Sequence, residues 1–95
     1  MKPEVVLELL ENTASQLGIR VSYEPLATTV AHGGLCKVKG EYRIIVDKRA
    51  TCEERVITLA TAVSTFDTSE LELAPKVREI LRQYEGSSKH KRRAA

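Results

Sequence analysis

Hydroxyl side chains recur within one segment whose pattern predicts an α-helix. Residues 54 to 67 read ERVITLATAVSTFD, and at 100° per residue Thr58, Thr61 and Thr65 fall on the side opposite the apolar residues. Threonine is a mediocre helix former, and exposed helix positions usually carry Lys, Glu or Gln instead. This threonine surface is therefore either a plain solvated surface or a contact surface, where small side chains let a partner chain approach closely.

The residues best suited to metal or redox chemistry are His32, Cys36 and Cys52. His32 lies in a glycine-flanked loop, and Cys36 lies in a strand-like segment, where a small structural cysteine is the commoner case. Cys52 falls in the first turn of a predicted helix, a position that favours reactive thiols, but Glu53 and Glu54 beside it oppose a negative charge. We therefore predict no metal site, no cofactor, and free thiols at both cysteines.

No other spacing supplies a catalytic centre. Gly33 and Gly34 could be taken for a phosphate-binding loop, but such a loop leads into a helix N-terminus, and this pair leads into a strand. The carboxylates mostly lie at predicted helix caps and on outward helix surfaces, and no two of them have a spacing that indicates general acid–base catalysis. We therefore expect that the chain is not an enzyme and has no catalytic residues.

The N-terminal part predicts a helix followed by a strand. In residues 3 to 17 apolar side chains recur every three or four positions, with Pro3 in the first turn and Gly18 after the last. Residues 19 to 24 read IRVSYE, whose alternation predicts a half-buried strand that ends at Pro25. This region is therefore a helix that leads into a sheet.

Residues 35 to 46 predict a β-hairpin. A turn at residues 39 to 41 contains Gly40 and separates two segments in which apolar residues alternate. Bases occupy its outward positions and discourage edge-to-edge aggregation. These bases are Lys37, Lys39 and Arg43.

Two further helices are predicted after the hairpin, with a short helical piece between them. Thr51 and Glu54 form a capping box at the start of the first helix, whose apolar positions continue to Phe66. The sequence SELEL, residues 69 to 73, suggests the short piece, and Pro75 suits the first turn of the last helix.

These elements predict an α+β fold. It comprises an N-terminal helix, a three-stranded mainly antiparallel sheet made of one strand and the hairpin, and two to three C-terminal helices packed on one face. The 95 residues make one domain, which we place at residues 1 to 86 and end at Gly86. Residues 87 to 95, SSKHKRRAA, have no side chains suited to packing, and we expect a flexible basic tail there.

The segment from Gly33 to Asp67 resembles the core of the ImmA/IrrE-type zincin-like metallopeptidase family. In that family a glycine begins a short hairpin whose second strand reads like YRIIVD. A polar turn and a glutamate–arginine-rich helix start follow, and a TLA run leads into H-E-x-x-H. Here the helix start and TLA are kept in EERVITLA. The resemblance covers roughly residues 1 to 85 and implies a minimal zincin-like fold.

The chain departs from this family at the residues that perform its chemistry. The three chemical positions of the motif fall on Thr61, Ala62 and Thr65. Threonine is a poor zinc ligand, and alanine cannot act as the general base that the motif's glutamate provides. Glu70 or Glu72 would lie where the family often places a third ligand, but one carboxylate makes no zinc site. The resemblance thus implies a degenerate domain, with the threonine surface as a remnant of a metal-facing one.

The positive charge of the chain is concentrated at its C-terminus. The formal net charge is +2, yet four bases lie within the last seven residues, so residues 1 to 88 hold eleven bases against thirteen acids. This balance is not that of a nucleic-acid-binding domain. We therefore keep nucleic-acid association only as the alternative hypothesis: an accessory protein that uses the basic tail and the hairpin bases.

Our preferred hypothesis is a noncatalytic domain that works through protein–protein contact, as a regulatory or stand-alone module. A sheet of three strands leaves edges that a second copy or a partner strand can complete, so a homodimer is one expectation. The resemblance implies a transcriptional regulator as a partner. No stretch is apolar enough for a membrane span, and a cytoplasmic location is expected. The predicted contact surface is Thr58, Thr61, Thr65, Lys37, Lys39 and Arg43.

Overall fold

Three helices and three strands make up the computed structural model, which describes residues 2–25 and 34–84. In chain order they are α1 (Pro3–Gln16), β1 (Arg20–Glu24), β2 (Gly34–Val38), β3 (Glu41–Asp47), α2 (Cys52–Val63) and α3 (Pro75–Tyr84). The α+β class and the order of helix, strand, hairpin and helices are therefore confirmed.

The strands form one sheet in the order β1-β3-β2, so β3 is the central strand. β2 pairs with β3 antiparallel, whereas β1 pairs with β3 parallel. The sheet is therefore mixed, and the expectation of a mainly antiparallel sheet is wrong for β1. A tight turn forces the two hairpin strands to run antiparallel, but the longer connection between β1 and β2 leaves the direction of β1 to tertiary packing.

The helices cover one face of this sheet. Ile44 and Val46 of β3 are fully buried against them, while Arg43, Ile45 and Asp47 alternate to the other face and are only half-buried. The register places Ser22 of β1 and Cys36 of β2 on that second face as well. We call this second face the open face, because no described helix lies over it.

The core is mostly aliphatic. Its one buried aromatic ring is Phe66, which meets Tyr42 of β3 edge-on, with ring centroids 5.0 Å apart and planes at 88°. The helices supply most of the other buried side chains, among them Leu10, Ala14, Leu59, Val63, Val77 and Leu81.

Helix α2 begins as predicted and ends earlier. Thr51 Oγ1 accepts a hydrogen bond from the Glu54 amide at 3.2 Å, and Glu54 Oε1 accepts one from the Thr51 amide at 2.8 Å, so the capping box is confirmed. The last helical residue is Val63, although the apolar pattern predicts continuation to Phe66. Phe66 is nevertheless buried, because the chain turns it inward after the helix has ended.

The SELEL segment is not a helix. The Asp67 carboxylate accepts a hydrogen bond from the Ser69 amide at 2.9 Å, which forms a local turn. The Arg78 guanidinium then donates to the carbonyls of Thr68 and Leu71. A side chain of α3 thus binds these carbonyls, which a helix would have paired with its own amides. Two helices, α2 and α3, follow the sheet within residues 34–84.

Pro75 opens α3 as predicted, and Tyr84 is its last described residue. The predicted end of the domain at Gly86 and the predicted tail at residues 87 to 95 lie outside the described residues. Within residues 2–25 and 34–84, no helix combines the length and the apolar character that crossing a membrane requires.

Candidate functional site

The threonine residues of α2 differ in what their hydroxyl groups contact. Thr58 Oγ1 donates to the Glu54 carbonyl at 3.1 Å, and Thr65 Oγ1 donates to the Ala62 carbonyl at 2.7 Å. Thr61 is exposed on the outer side of the helix. Two hydroxyls of the predicted surface are thus occupied by their own backbone, and Thr61 is the member that faces solvent most fully.

The three positions that align with the zinc-binding motif do not share one helical surface. Thr61 is exposed, Ala62 is buried beside the core, and Thr65 lies beyond Val63, the last residue of α2. In a zinc-binding helix, the two ligands four residues apart stand one turn above the other on the same side. Here the α-helix ends at Val63, and the Thr65 amide donates to the Ala62 carbonyl and not to the Thr61 carbonyl, so the regular helical spacing between Thr61 and Thr65 is not kept.

The thiols and carboxylates considered as ligands are spread over the fold. Cys36 and Cys52 are both half-buried free thiols, the first on the open face and the second in the opening turn of α2. Glu70 and Glu72 are exposed in the connection between α2 and α3. His32 and Gly33 lie outside the described residues. Within the described ranges, no three His, Cys, Asp or Glu side chains are grouped so as to hold a metal.

The hairpin bases do not form one basic surface. Lys37 lies on the helix-covered face, with its ammonium 5.1 Å from the centre of the Tyr42 ring, whereas Arg43 lies on the open face. Lys39 is in the turn between the strands. A nucleic-acid-binding role would therefore rest chiefly on the C-terminal bases, which the structure does not describe.

A polar cluster that the sequence does not reveal joins three elements. The Tyr23 hydroxyl of β1 donates to Glu11 Oε2 of α1 at 2.5 Å, and the Arg55 guanidinium of α2 lies 4.9 Å from the centre of the Tyr23 ring. Arg55 also donates to the carbonyls of Ala50 at 3.2 Å and Lys48 at 2.8 Å. The three side chains thus tie α1, β1 and the β3–α2 connection to one another.

Burial, followed by the hydrogen bond to Glu11 and that carboxylate's negative charge, raises the pKa of Tyr23 well above its ordinary value. The nearby Arg55 charge opposes this shift only in part. A phenol held protonated in this way is not a general base at neutral pH, so the cluster serves as a structural link. The alternation in β1 predicts that Tyr23 lies on the inner face. It does not predict the contacts with Glu11 and Arg55, because these residues come from distant segments of the chain.

The two outer strands of the sheet turn some of their backbone hydrogen-bonding groups away from β3. The Lys48 amide donates to the Glu24 carbonyl at 2.9 Å, so Glu24 turns its backbone groups toward β3. Because these directions alternate along a strand, Val21 and Tyr23 turn their amides and carbonyls outward. In β2, the two-residue turn makes Val38 and Glu41 a hydrogen-bonded pair, so Leu35 and Lys37 turn theirs outward. No described strand pairs with either edge.

No protein-family model, no curated protein and no solved structure matches this chain. The resemblance to the ImmA/IrrE-type family therefore stays a prediction made from the segment between Gly33 and Asp67.

Proposed function

We propose that this chain is a noncatalytic, zincin-like domain that acts through protein–protein contact. The observation that carries the proposal is the pair of outer strands, β1 and β2, whose outward backbone groups have no partner among the described residues. Extended peptides bind such edges by adding a strand, and the main-chain hydrogen bonds provide the affinity. The absence of a zinc ligand and of a base at Thr61 and Ala62 supports the noncatalytic part.

The β2 edge is the surface that we assign to a partner protein. Its five residues present outward backbone groups at Leu35 and Lys37 and the basic side chain of Lys37, and the basic side chain of Lys39 follows in the turn. An added strand would lie beside these ammonium groups, so an acidic extended segment is the best match. The resemblance suggests that such a segment belongs to a transcriptional regulator.

The outer side of α2 offers a second surface. Ile57 is an apolar residue that is 50% exposed, and Thr61 lies one turn further along the same side of the helix. An exposed β-branched pair of this kind suits close approach by another chain. This side of α2 supports a role in protein contact, but its apolar area is small. The proposal of a partner protein therefore rests on the β2 edge.

Substituting one residue in the edge strand tests the proposal. Lys37→Pro removes the outward amide of β2 without removing a hydrogen bond to β3, because Lys37 is in a non-hydrogen-bonded pair with Tyr42. Lys37→Ala is the matched control, since it removes the ammonium and keeps the amide. The measurement is quantitative recovery of cross-linked partners from lysate of the source cells, compared among the wild-type chain and both variants.

We expect Lys37→Pro to lose at least about 90% of a partner that the wild type captures, which corresponds to about tenfold weaker binding when the chain is kept below its dissociation constant. Lys37→Ala should retain more of it than Lys37→Pro. Equal recovery by the wild type and Lys37→Pro, with unchanged circular dichroism, would contradict an edge-strand contact at β2.

A further inference from the structure

We infer that the other edge strand, β1, pairs with β1 of a second copy of this chain and joins two sheets into one of six strands. This inference deepens the proposed function, because it names one protein partner and leaves both β2 edges at the outer ends of the joined sheet. It rests on three features of β1: the direction of its backbone groups, the order of its charges and the way the strand ends.

The backbone groups permit one symmetric antiparallel register. Val21 and Tyr23 turn their amides and carbonyls away from β3, so these residues must form the hydrogen-bonded pairs with the second copy. A twofold axis at Ser22 sets Val21 opposite the partner's Tyr23 and Tyr23 opposite the partner's Val21. This arrangement gives four backbone hydrogen bonds, by the rule that each such pair exchanges two. Ser22 then lies opposite its own equivalent on the axis.

The side-chain charges of β1 are self-complementary in this register. Arg20 and Glu24 are exposed, share the open face with Ser22, and make no ion pair with another described residue. The twofold axis at Ser22 sets Arg20 opposite the partner's Glu24 and Glu24 opposite the partner's Arg20. Both contacts are non-hydrogen-bonded pairs, in which opposing side chains are closest. An isologous interface requires this kind of self-complementarity.

The strand ends where this pairing must end. The next outward pair would join Pro25 to the partner's Ile19. Proline has no amide hydrogen, and the Ile19 amide already donates to the Ala14 carbonyl of its own chain at 2.9 Å. No additional backbone donor is therefore left unpaired when β1 stops at Glu24.

The β2 edge fits a second copy less well. Symmetric pairing through its outward residues would centre on Cys36 and set Lys37 opposite the partner's Leu35, so no charge of this strand would meet an opposite charge. The two edges are thus distinguished by charge, with β1 suited to its own copy and β2 to a different, acidic strand.

Charge reversal in β1 is the first test. We expect sedimentation equilibrium to show a reversible dimer of the wild-type chain at concentrations up to about 0.5 mM, since interfaces of small area bind weakly. Arg20→Glu and Glu24→Arg should each raise the dimer dissociation constant by about tenfold or more, because like charges then face each other twice. The double variant should return it to within about threefold of the wild type.

A disulfide across the axis is the second test, made in a chain with Cys36→Ser and Cys52→Ser. Residues opposite each other in a non-hydrogen-bonded antiparallel pair have Cα atoms about 4.5 Å apart, within the range of about 4.4 to 6.8 Å that a disulfide bridges. Ser22→Cys should therefore give a disulfide-linked dimer under mild oxidation. Ser69→Cys, at an exposed serine of the α2–α3 connection, is the matched control and should stay largely monomeric.

A wild-type chain that stays monomeric over this concentration range would overturn the inference. A dimer whose dissociation constant is unchanged by both charge reversals would overturn it as well. The same holds if Ser22→Cys forms a disulfide-linked dimer no faster than Ser69→Cys. A Cys36-linked dimer of the wild-type chain would move the interface to β2. A Cys36-linked dimer would also occupy the β2 edge, whereas the other results do not bear on capture of a different protein that depends on Lys37, so the two proposals are tested separately.

Discussion

The hydroxyl groups at the end of α2 act on the backbone of their own chain. Ser64 Oγ lies 2.8 Å from the Thr61 carbonyl and 3.1 Å from the Tyr84 carbonyl, so its one hydrogen is shared between these two acceptors, and Thr65 Oγ1 donates to the Ala62 carbonyl. The Thr61 and Ala62 carbonyls belong to the last turn of α2, where helical carbonyls lack an amide four residues on, so the two hydroxyls cap the end of the helix. The Ser64 contact also holds the last described turn of α3 against the end of α2.

This contact pattern changes the explanation of the threonine-rich helix. A solvated surface or a metal-facing remnant each predict hydroxyls that point away from the chain, and Thr61 alone among the threonines of the predicted surface has no hydroxyl hydrogen bond within residues 2–25 and 34–84. Thr58 and Thr65 have one each, to their own backbone. Sequence periodicity identifies the side of a helix on which a residue lies, but it does not show whether a hydroxyl bends back to a carbonyl.

At the residue scale we predict a pH dependence that comes from Tyr23. Its raised pKa means that the unfolded chain, whose tyrosines titrate near about 10, loses this proton before the folded chain does. The free energy of unfolding should therefore fall as the pH rises above about 10. Tyr23→Phe should reduce that fall and should cost about 1 kcal/mol at neutral pH through the lost hydrogen bond to Glu11. Urea unfolding between pH 7 and 11 measures both effects.

Tyr84→Phe is the control for this prediction, because its hydroxyl has no hydrogen bond within the described part of the chain. It should leave the alkaline fall in stability close to that of the wild type. If the free energy of unfolding of Tyr23→Phe fell above about pH 10 as steeply as that of the wild type, the hydrogen bond to Glu11 would not be the cause of the pH dependence.

At the scale of elements, the hairpin turn shows the largest mismatch between residue type and conformation. Lys39 has a φ of 52° and Gly40 a φ of 82°, the left-handed pair that defines a type I′ turn. Glycine adopts this conformation readily, whereas lysine is strained in it. The sequence predicts a glycine-containing turn at residues 39 to 41, and the structure narrows it to Lys39 and Gly40.

Lys39→Asn should therefore stabilise the chain. Asparagine tolerates the left-handed conformation, and Asn-Gly is the preferred pair of a type I′ turn, so we expect a gain of about 0.5 kcal/mol in the free energy of unfolding. Thermal and urea unfolding measure this gain. Lys48→Asn, the same substitution in an exposed turn without a positive φ, should change stability by less than about 0.5 kcal/mol. Lower stability in Lys39→Asn than in Lys48→Asn would contradict the turn assignment.

At the scale of the whole molecule, the two faces of the sheet determine which residues can work together. Helices bury Ile44 and Val46 on one face, and the open face carries Arg43 and Cys36. The predicted contact surface therefore separates, with Lys37 on one side of the sheet and Arg43 on the other. What remains continuous is the pair of strand edges, on which both proposals rest.

We also predict that the chain binds no zinc tightly. After exposure to zinc and gel filtration, elemental mass spectrometry should find close to no metal, because Thr61 and Thr65 are poor ligands and Ala62 provides no base. Thr61→His combined with Thr65→His should bind little more, since the helix ends at Val63, between the two positions. About one tightly held zinc per wild-type chain would overturn the noncatalytic assignment.

The amino-acid sequence by itself determined several local features of this protein. The capping box at Thr51, the start of α3 at Pro75 and the inward alternation of Ile44 and Val46 each depend on residues close together in the chain, and each is found where the sequence predicts it. The burial of Phe66 follows from the apolar pattern as well, although the helix that predicts it ends earlier.

Only the tertiary structure decided the parallel direction of β1, the end of α2 and the contacts of Tyr23. Each depends on groups far apart in sequence: β1 aligns with β3 across the hairpin, Ser64 reaches the Tyr84 carbonyl, and Tyr23 lies between Glu11 and Arg55. Periodicity reports which side of an element is buried, but it contains no information on which distant group is there to meet it. For this chain, the candidate contact surfaces are among the features that only the tertiary structure decided.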